Sequence, residues 1–284
     1  MSTDPGGEGS PGGAELPGVI GWRGGQVTPS AECILAPNPG PMTLDGTNTW
    51  LLAAGPGEAA VIDPGPDDES HLTAVLAAAQ RRDVRISTIL LTHGHADHSA
   101  GAPRLHELTG APVRALDPRH ALGPEGLVDG AVLEVGGLTI EVVGTPGHTS
   151  DSLSFLLPAD GALLTGDTVL GRGTTVVAHP DGRLADYLAS LHRIGRVAAE
   201  RELRAVLPGH GPVLATPQAP PVDVVRFYLA HRQERLAQVR EAVAAGATAA
   251  REVVERVYAD VPREVWPAAE LSVRAQLEYL GLET

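Results

Sequence analysis

Apolar positions along this chain change period repeatedly. TNTWLLAAG (47–55) and AAVIDPG (59–65) are short apolar runs divided by a GPGE turn, and they read as two strands. In DESHLTAVLAAAQRRD (68–83) apolar residues recur every three to four positions, which predicts a helix capped by Asp68 or Ser70. The β-branched run VRISTILLT (84–92) reads as a buried strand. PRLHELTG (103–110) predicts a short helix ending at glycine, and APVRAL (111–116) a strand. AVLEVGGLTIEVVGTPG (131–147) reads as a hairpin bent at Gly136-Gly137, and SLSFLLPADGALLTGD (152–167) as a second turning at Pro158–Gly161. RLADYLASLHRIGRVAA (183–199) has helical spacing, and AVLPGHGP (205–212) is a strand ending in a tight turn.

Strand pairs followed by single helices, twice over, imply an α/β fold of two mixed sheets covered by helices. The composition shifts after TPQAPP (216–221). Helices are predicted over 222–245, over 248–258 with Thr248 as cap, and over 265–282 with Pro267 near the start. Three regions follow: a flexible Gly/Pro-rich tail (1–17), a sheet-bearing domain (18–219) and a small helical domain (222–284).

Composition excludes several classes. With 284 residues, 43% hydrophobic and 20% charged, the chain can bury a core and is not disordered throughout. Its 21 basic residues are all arginine and face 35 acidic ones, a net charge of −14. Such a chain binds nucleic acid or anionic membrane poorly by charge alone. Cys33 is the single cysteine, so no intrachain disulfide forms and a reducing compartment is expected. No basic start leads into an apolar stretch, and no apolar run is long enough to span a membrane. A cytoplasmic protein without membrane partners is expected.

The chemistry concentrates at His93-Gly94-His95-Ala96-Asp97-His98, just past the buried strand. In extended backbone His93 and His95 point the same way and can chelate one ion, while Asp97 and His98 turn onto a neighbouring position. Gly147-His148-Thr149, Gly166-Asp167-Thr168, Gly209-His210-Gly211 and Ile62-Asp63-Pro64-Gly65 each set a ligand-type residue at a strand end. Each is weak alone, because such residues favour turns anyway; together they form a coherent two-metal ligand set.

These motifs closely resemble the metallo-β-lactamase superfamily over residues 30 to 215. The resemblance implies an αββα sandwich with metals where the two sheets meet. It assigns His93, His95 and His148 to one ion, Asp97, His98 and His210 to a second, and Asp167 to a bridge. Asp63 would steer a ligand or a loop from behind. Two divalent ions about 3.5–4 Å apart would share a water and supply a bridging hydroxide at neutral pH. Zn²⁺ suits the shell, as do Fe²⁺ and Mn²⁺. Asp97, besides being a ligand, would take the nucleophile's proton.

The segments 38–50, 166–175 and 207–213 resemble the lactamase-β-2-like subgroup. Its animal members are endoribonucleases on single-stranded RNA, and fungal relatives hydrolyse carrier-protein thioesters. The leading expectation is therefore cleavage of single-stranded RNA. The alternative is hydrolysis of a thioester or lactone on a small acyl substrate, which the acidic charge suits better. The subgroup carries a C-terminal winged-helix-like domain, and 222–284 would be a truncated version without a β-wing. A homo-oligomer contact or a lid is as good an expectation for that tail as nucleic acid. Asn48 would donate to the substrate or cap a turn, Arg172 would meet a phosphate or carboxylate, and His179 would face the substrate. Trp50 is expected in the core. His71, His106, His120, His192 and His231 are expected to be ordinary surface or core residues, and Arg226, Arg232, Arg235 and Arg240 a solvated helix face.

Overall fold

The computed structural model describes residues 21–259 and 261–282; the tail predicted over 1–17 lies outside them. Two six-stranded sheets stack face to face. The first runs, in spatial order, β1 (Gly25–Gln26), β2 (Ala31–Leu35), β3 (Asn48–Leu52), β4 (Gly57–Ile62), β5 (Val84–Leu90) and β6 (Val113–Arg114). Pairing is antiparallel as far as β4 and parallel from β4 through β6. Parallel neighbours need a crossover. Helix α1 (Glu69–Arg81) supplies the first, and α2 (Ala96–Ser99) with α3 (Ala102–Thr109) the second. The predicted strand over 111–116 shrinks to two residues, since Pro112 has no N–H for the ladder.

The second sheet holds β7 (Val132–Val135), β8 (Leu138–Gly144), β9 (Leu153–Leu157), β10 (Ala162–Gly166), β11 (Ala205–Pro208) and β12 (Leu214–Ala215), with β12 at one edge and β7 at the other. Only β10 and β11 are parallel, and α4 (Leu184–Glu200) joins them.

Alternation along each strand divides the core into layers. Trp50, Leu52, Ile62 and Leu90 from one sheet meet Ile140, Phe155, Leu164 and Leu207 from the other. Leu51, Val61 and Ile89 point outward beneath α1 and α3, with Leu72, Val75 and Leu105. Leu156, Leu163 and Val206 point outward beneath α4, with Tyr187, Leu191 and Ile194. The order is thus helix, sheet, sheet, helix.

Helices α5 (Pro221–Ala244), α6 (Ala250–Val257) and α7 (Trp266–Leu280) complete the fold. Val224, Val225 and Tyr228 of α5 pack into the α4 layer, while Val239 and Ala242 join α6 and α7 in a separate small core. The helical region is therefore docked on the sandwich. Thr248 does not cap α6 as predicted: Ala249 is the cap residue, and the Thr248 backbone N–H donates to the Glu252 carboxylate. Among the described residues no strand follows β12, and no helix is long and apolar enough to cross a membrane.

Candidate metal centre

Five strands end together at one edge of the sandwich. Asp63 follows β4, His93 follows β5, His148 follows β8, Asp167 follows β10 and His210 follows β11. The sheets are tied there: Leu153 N–H donates to the Thr92 carbonyl at 2.7 Å, and Asn48 N–H to the Gly209 carbonyl at 2.8 Å. His95 precedes the single turn of α2, which carries Asp97 and His98.

The structure brings these side chains into overlapping groups. His95 Nδ1 lies 3.1 Å from both His93 Nε2 and His148 Nε2. His210 Nε2 lies 3.1 Å from His98 Nε2 and from Asp97 Oδ2. Asp167 reaches both groups, with Oδ2 3.7 Å from His148 Nε2 and 3.3 Å from His210 Nε2, and Oδ1 3.5 Å from His98 Nε2.

The far ring nitrogens fix the tautomers. His148 Nδ1 lies 2.7 Å from the Val176 carbonyl and His210 Nδ1 3.2 Å from the Gly46 carbonyl; carbonyls only accept, so both Nδ1 atoms carry hydrogen. Asp63 accepts from Thr92 N–H and Thr92 Oγ1, and takes His98 Nδ1–H at 2.9 Å. With its own hydrogen given to Asp63, Thr92 Oγ1 accepts from His93 Nδ1 at 2.9 Å. Four imidazoles thus turn Nε2 inward, the nitrogen at which a metal would replace a proton, in the arrangement that orients metal ligands.

Charge at the cluster follows from burial and crowding. Burial pushes the Asp167 carboxyl up, but the imidazoles of His210 and His98 outweigh it and hold it well below the usual range. Burial lowers His98 and His210, yet Asp167, with Asp63 at His98, outweighs it; His98 ends well above its usual value and His210 at about 9. Burial, with His98 and His148 beside it, takes His93 well below. Asp97 is the most exposed carboxylate of the cluster, its side chain 30% accessible.

These residues fit divalent metal. Ring nitrogens converging to about 3.1 Å need a cation among them, a proton at His98 and His210 or a metal ion in its place. Ligands around tetrahedral Zn²⁺ stand about 3.3 Å from one another, given metal–nitrogen bonds of about 2.0–2.1 Å. Asp167 Oδ1 is buried without a hydrogen-bond partner, an orphan that a metal would satisfy.

Three expected substrate contacts fare differently. Asn48 is a correction: it is fully buried, its amide donates to the Pro208 and Gly211 carbonyls, and its oxygen accepts from Trp22 Nε1. It staples the two sheets and has nothing left for substrate. Arg172 stands beside His210, since Gly171 N–H donates to the His210 carbonyl, but its guanidinium is paired with Asp45. His179 is 3.9 Å from Glu278 on α7. Trp50 is core, as expected. The solvated arginine face is overturned at Arg232, which is 4% exposed. His120 belongs with Asp117 and Asp151 in a further group of ligand-type atoms, and its ring lies against Gly94. Neither position carries a sequence signal: Arg232 sits in a charged helix and His120 in an ordinary turn.

Residues 42–210 match the Metallo-beta-lactamase superfamily, and residues 249–283 the Beta-lactamase associated winged helix domain. The chain belongs to the metallo-beta-lactamase superfamily and is a hydrolase of that fold. It is 36% identical to the Atrochrysone carboxyl ACP thioesterase of Aspergillus fumigatus, over 84% of this chain and 76% of that one. It is 33% identical to the Beta-lactamase-like protein 2 homolog of Drosophila melanogaster, over 91% and 90%. A metallo-beta-lactamase family protein from Thermus thermophilus superposes with a TM-score of 0.73 at 26% identity, covering 89% of this chain and 93% of that structure.

Proposed function

We propose that this chain is a dinuclear metal hydrolase acting on the thioester of a small or carrier-bound acyl group. One observation carries the choice: arginines on the loops bordering the cluster are neutralised. Arg119, beside His120, pairs with Asp117 at 2.6 Å. Arg172, on the loop tied to His210, pairs with Asp45. Arg183, whose N–H donates to the Gly147 carbonyl, stands 3.7 Å from Glu278. An RNA strand needs several free cations along its phosphates, and this rim offers neutral pairs. A thioester needs none.

In this reading His93, His95 and His148 would hold one ion and Asp97, His98 and His210 the other, with Asp167 between the two groups. Two ions, most simply Zn²⁺, would supply Lewis acidity and make water nucleophilic at neutral pH. Asp63 and Thr92 hold the ligand rings in one orientation. Asp97, open to the cleft, takes the proton released as water adds and returns one to the departing thiolate; the C–S bond breaks, giving acid and thiol.

Likeness to the worm and fly Beta-lactamase-like protein 2 homologs, together with the winged-helix match, favours single-stranded RNA as the second reading. Metal-loaded protein offered an acyl N-acetylcysteamine thioester and an end-labelled single-stranded RNA separates the two. The thioester should be cleaved, with the rate falling about 10²–10⁴-fold in Asp97→Ala. RNA cut with the thioester untouched would replace this reading by the second.

A further inference from the structure

A cavity of about 240 Å³ lies between α5, the α6–α7 region, the Pro41–Met42 turn and the segment Thr174–Val176. Its wall is shared with the metal cluster, since the Val176 carbonyl accepts from His148 Nδ1. Met42, Val176, Val261, Val265 and Ala269 make one side apolar. His231, Arg232 and Arg235 make the other cationic.

Those arginines are unlike the rim pairs. Arg232 is 4% exposed; it donates to the Thr175 carbonyl, lies 4.9 Å over the Tyr187 ring, and leaves Nε buried without a partner. Arg235 donates to Gln238 Oε1 and the Val257 carbonyl, and lies 4.9 Å over the Tyr258 ring. Every one of these partners is neutral. Among the described residues no carboxylate lines the cavity or pairs with either arginine. Burying a guanidinium without a counter-ion is costly, the more conspicuous in a chain of net charge −14. His231 Nδ1 is buried and unpartnered as well, and burial together with both arginines pushes the ring down to about 4.

We propose that this cavity is an anion subsite, in which Arg232 and Arg235 hold a carboxylate or phosphate of the substrate while its apolar body lies against Met42, Val265 and Ala269. Guanidinium forks bind both anions in the same way. The inference rests on the thioester reading for its role, and on the cavity alone for its existence. The anion has two sources, an acidic acyl tail or the phosphate of a carrier arm on the thiol side. One pair of cations, Arg232 buried and Arg235 half-buried, suits a single anionic group and not a polynucleotide backbone.

Matched thioesters test the role on metal-loaded protein: glutaryl against pentanoyl on one thiol, and one acyl group on phosphopantetheine against pantetheine. One anionic member should be favoured at least about ten-fold in kcat/KM, carried by KM, as a charged hydrogen-bonded contact provides. Arg235→Gln should bring that ratio towards one, and Arg235→Lys should restore part of it. Separately, glutarate or propyl phosphate should shift the His231 ring resonances of wild-type protein, and not those of Arg235→Gln. The first pair isolates the acyl tail and the second the carrier arm. Protein that cleaves no thioester yet shows the His231 shift refutes the thioester reading and leaves the subsite standing. Absence of the shift at millimolar anion overturns the subsite. So does a preference that survives Arg235→Gln. A shift with both ratios near one marks adventitious binding and overturns the substrate role.

Discussion

An alanine methyl at position 209 would sit 2.5 Å from Asp167 Oδ1 and 2.8 Å from His98 Cε1. His98 cannot give way because Asp63 holds its ring, so the strain falls on the Asp167 carboxylate, whose Oδ1 has no hydrogen-bond partner. Gly209→Ala is therefore expected to displace the Asp167 carboxylate, with metal affinity falling about 10–100-fold, as when a supporting partner is lost. Competition with a chelating dye measures it, and wild-type affinity in the variant would contradict the geometry. Residue types on strand ends make legible the seven side chains that converge at the cluster, and Asp63 behind them. Hydrogen-bond direction was not readable: Asn48 stands in an apolar run beside Trp50, and only the three-dimensional approach of the Pro208 and Gly211 carbonyls shows that its amide is used up. Burial of Arg232 is hidden for the matching reason, since a charged helix reads as solvated until a second layer covers it.

The loop carrying His148 depends on its neighbouring helix. Gly147, at φ +134°, lets the backbone of α4 approach so closely that an added Cβ would lie 2.3 Å from Tyr187 N. Gly147→Ala should force α4 and the His148 loop apart, costing about 1–3 kcal/mol for the backbone conformation alone. Denaturant unfolding checks it; an unchanged midpoint would show that the helix gives way freely. Long periodic elements are legible: the helices at Glu69–Arg81, Leu184–Glu200 and Pro221–Ala244 and both hairpins stand within three residues of their predicted places. Short ones were not. Helix α2 is a single turn whose sequence, ADHS, has no period to read. Strand β2, AECIL, borrows its pairing from β3 and carries a charged residue, Glu32, at its second position.

At the scale of the whole molecule, buried histidines make stability depend on pH. His71 is 2% exposed; its Nε2 pairs with Thr49 Oγ1 and its Nδ1 has no partner, so burial pushes it down to about 4. His231 is pushed equally far. An unfolded chain takes up these protons near pH 6.5, while the folded one resists until about pH 4. Unfolding is therefore increasingly favoured as pH falls from about 6.5 to 4, with no further loss below that from these two groups. His71→Gln should make the fall in thermal midpoint over that interval shallower, since one of the groups that resist protonation in the folded state is removed. A slope identical to wild type would place the effect elsewhere.

Four layers bring five strand ends together so that seven side chains converge on one edge, and the account depends on that edge holding two ions. Metal content per chain after saturation and desalting, read alongside hydrolysis, tests this most directly. Wild-type protein should retain two ions, and His148→Ala and Asp97→Ala about one each with hydrolysis lost in both. Wild-type protein that retains one ion or none while hydrolysing at full rate would contradict it.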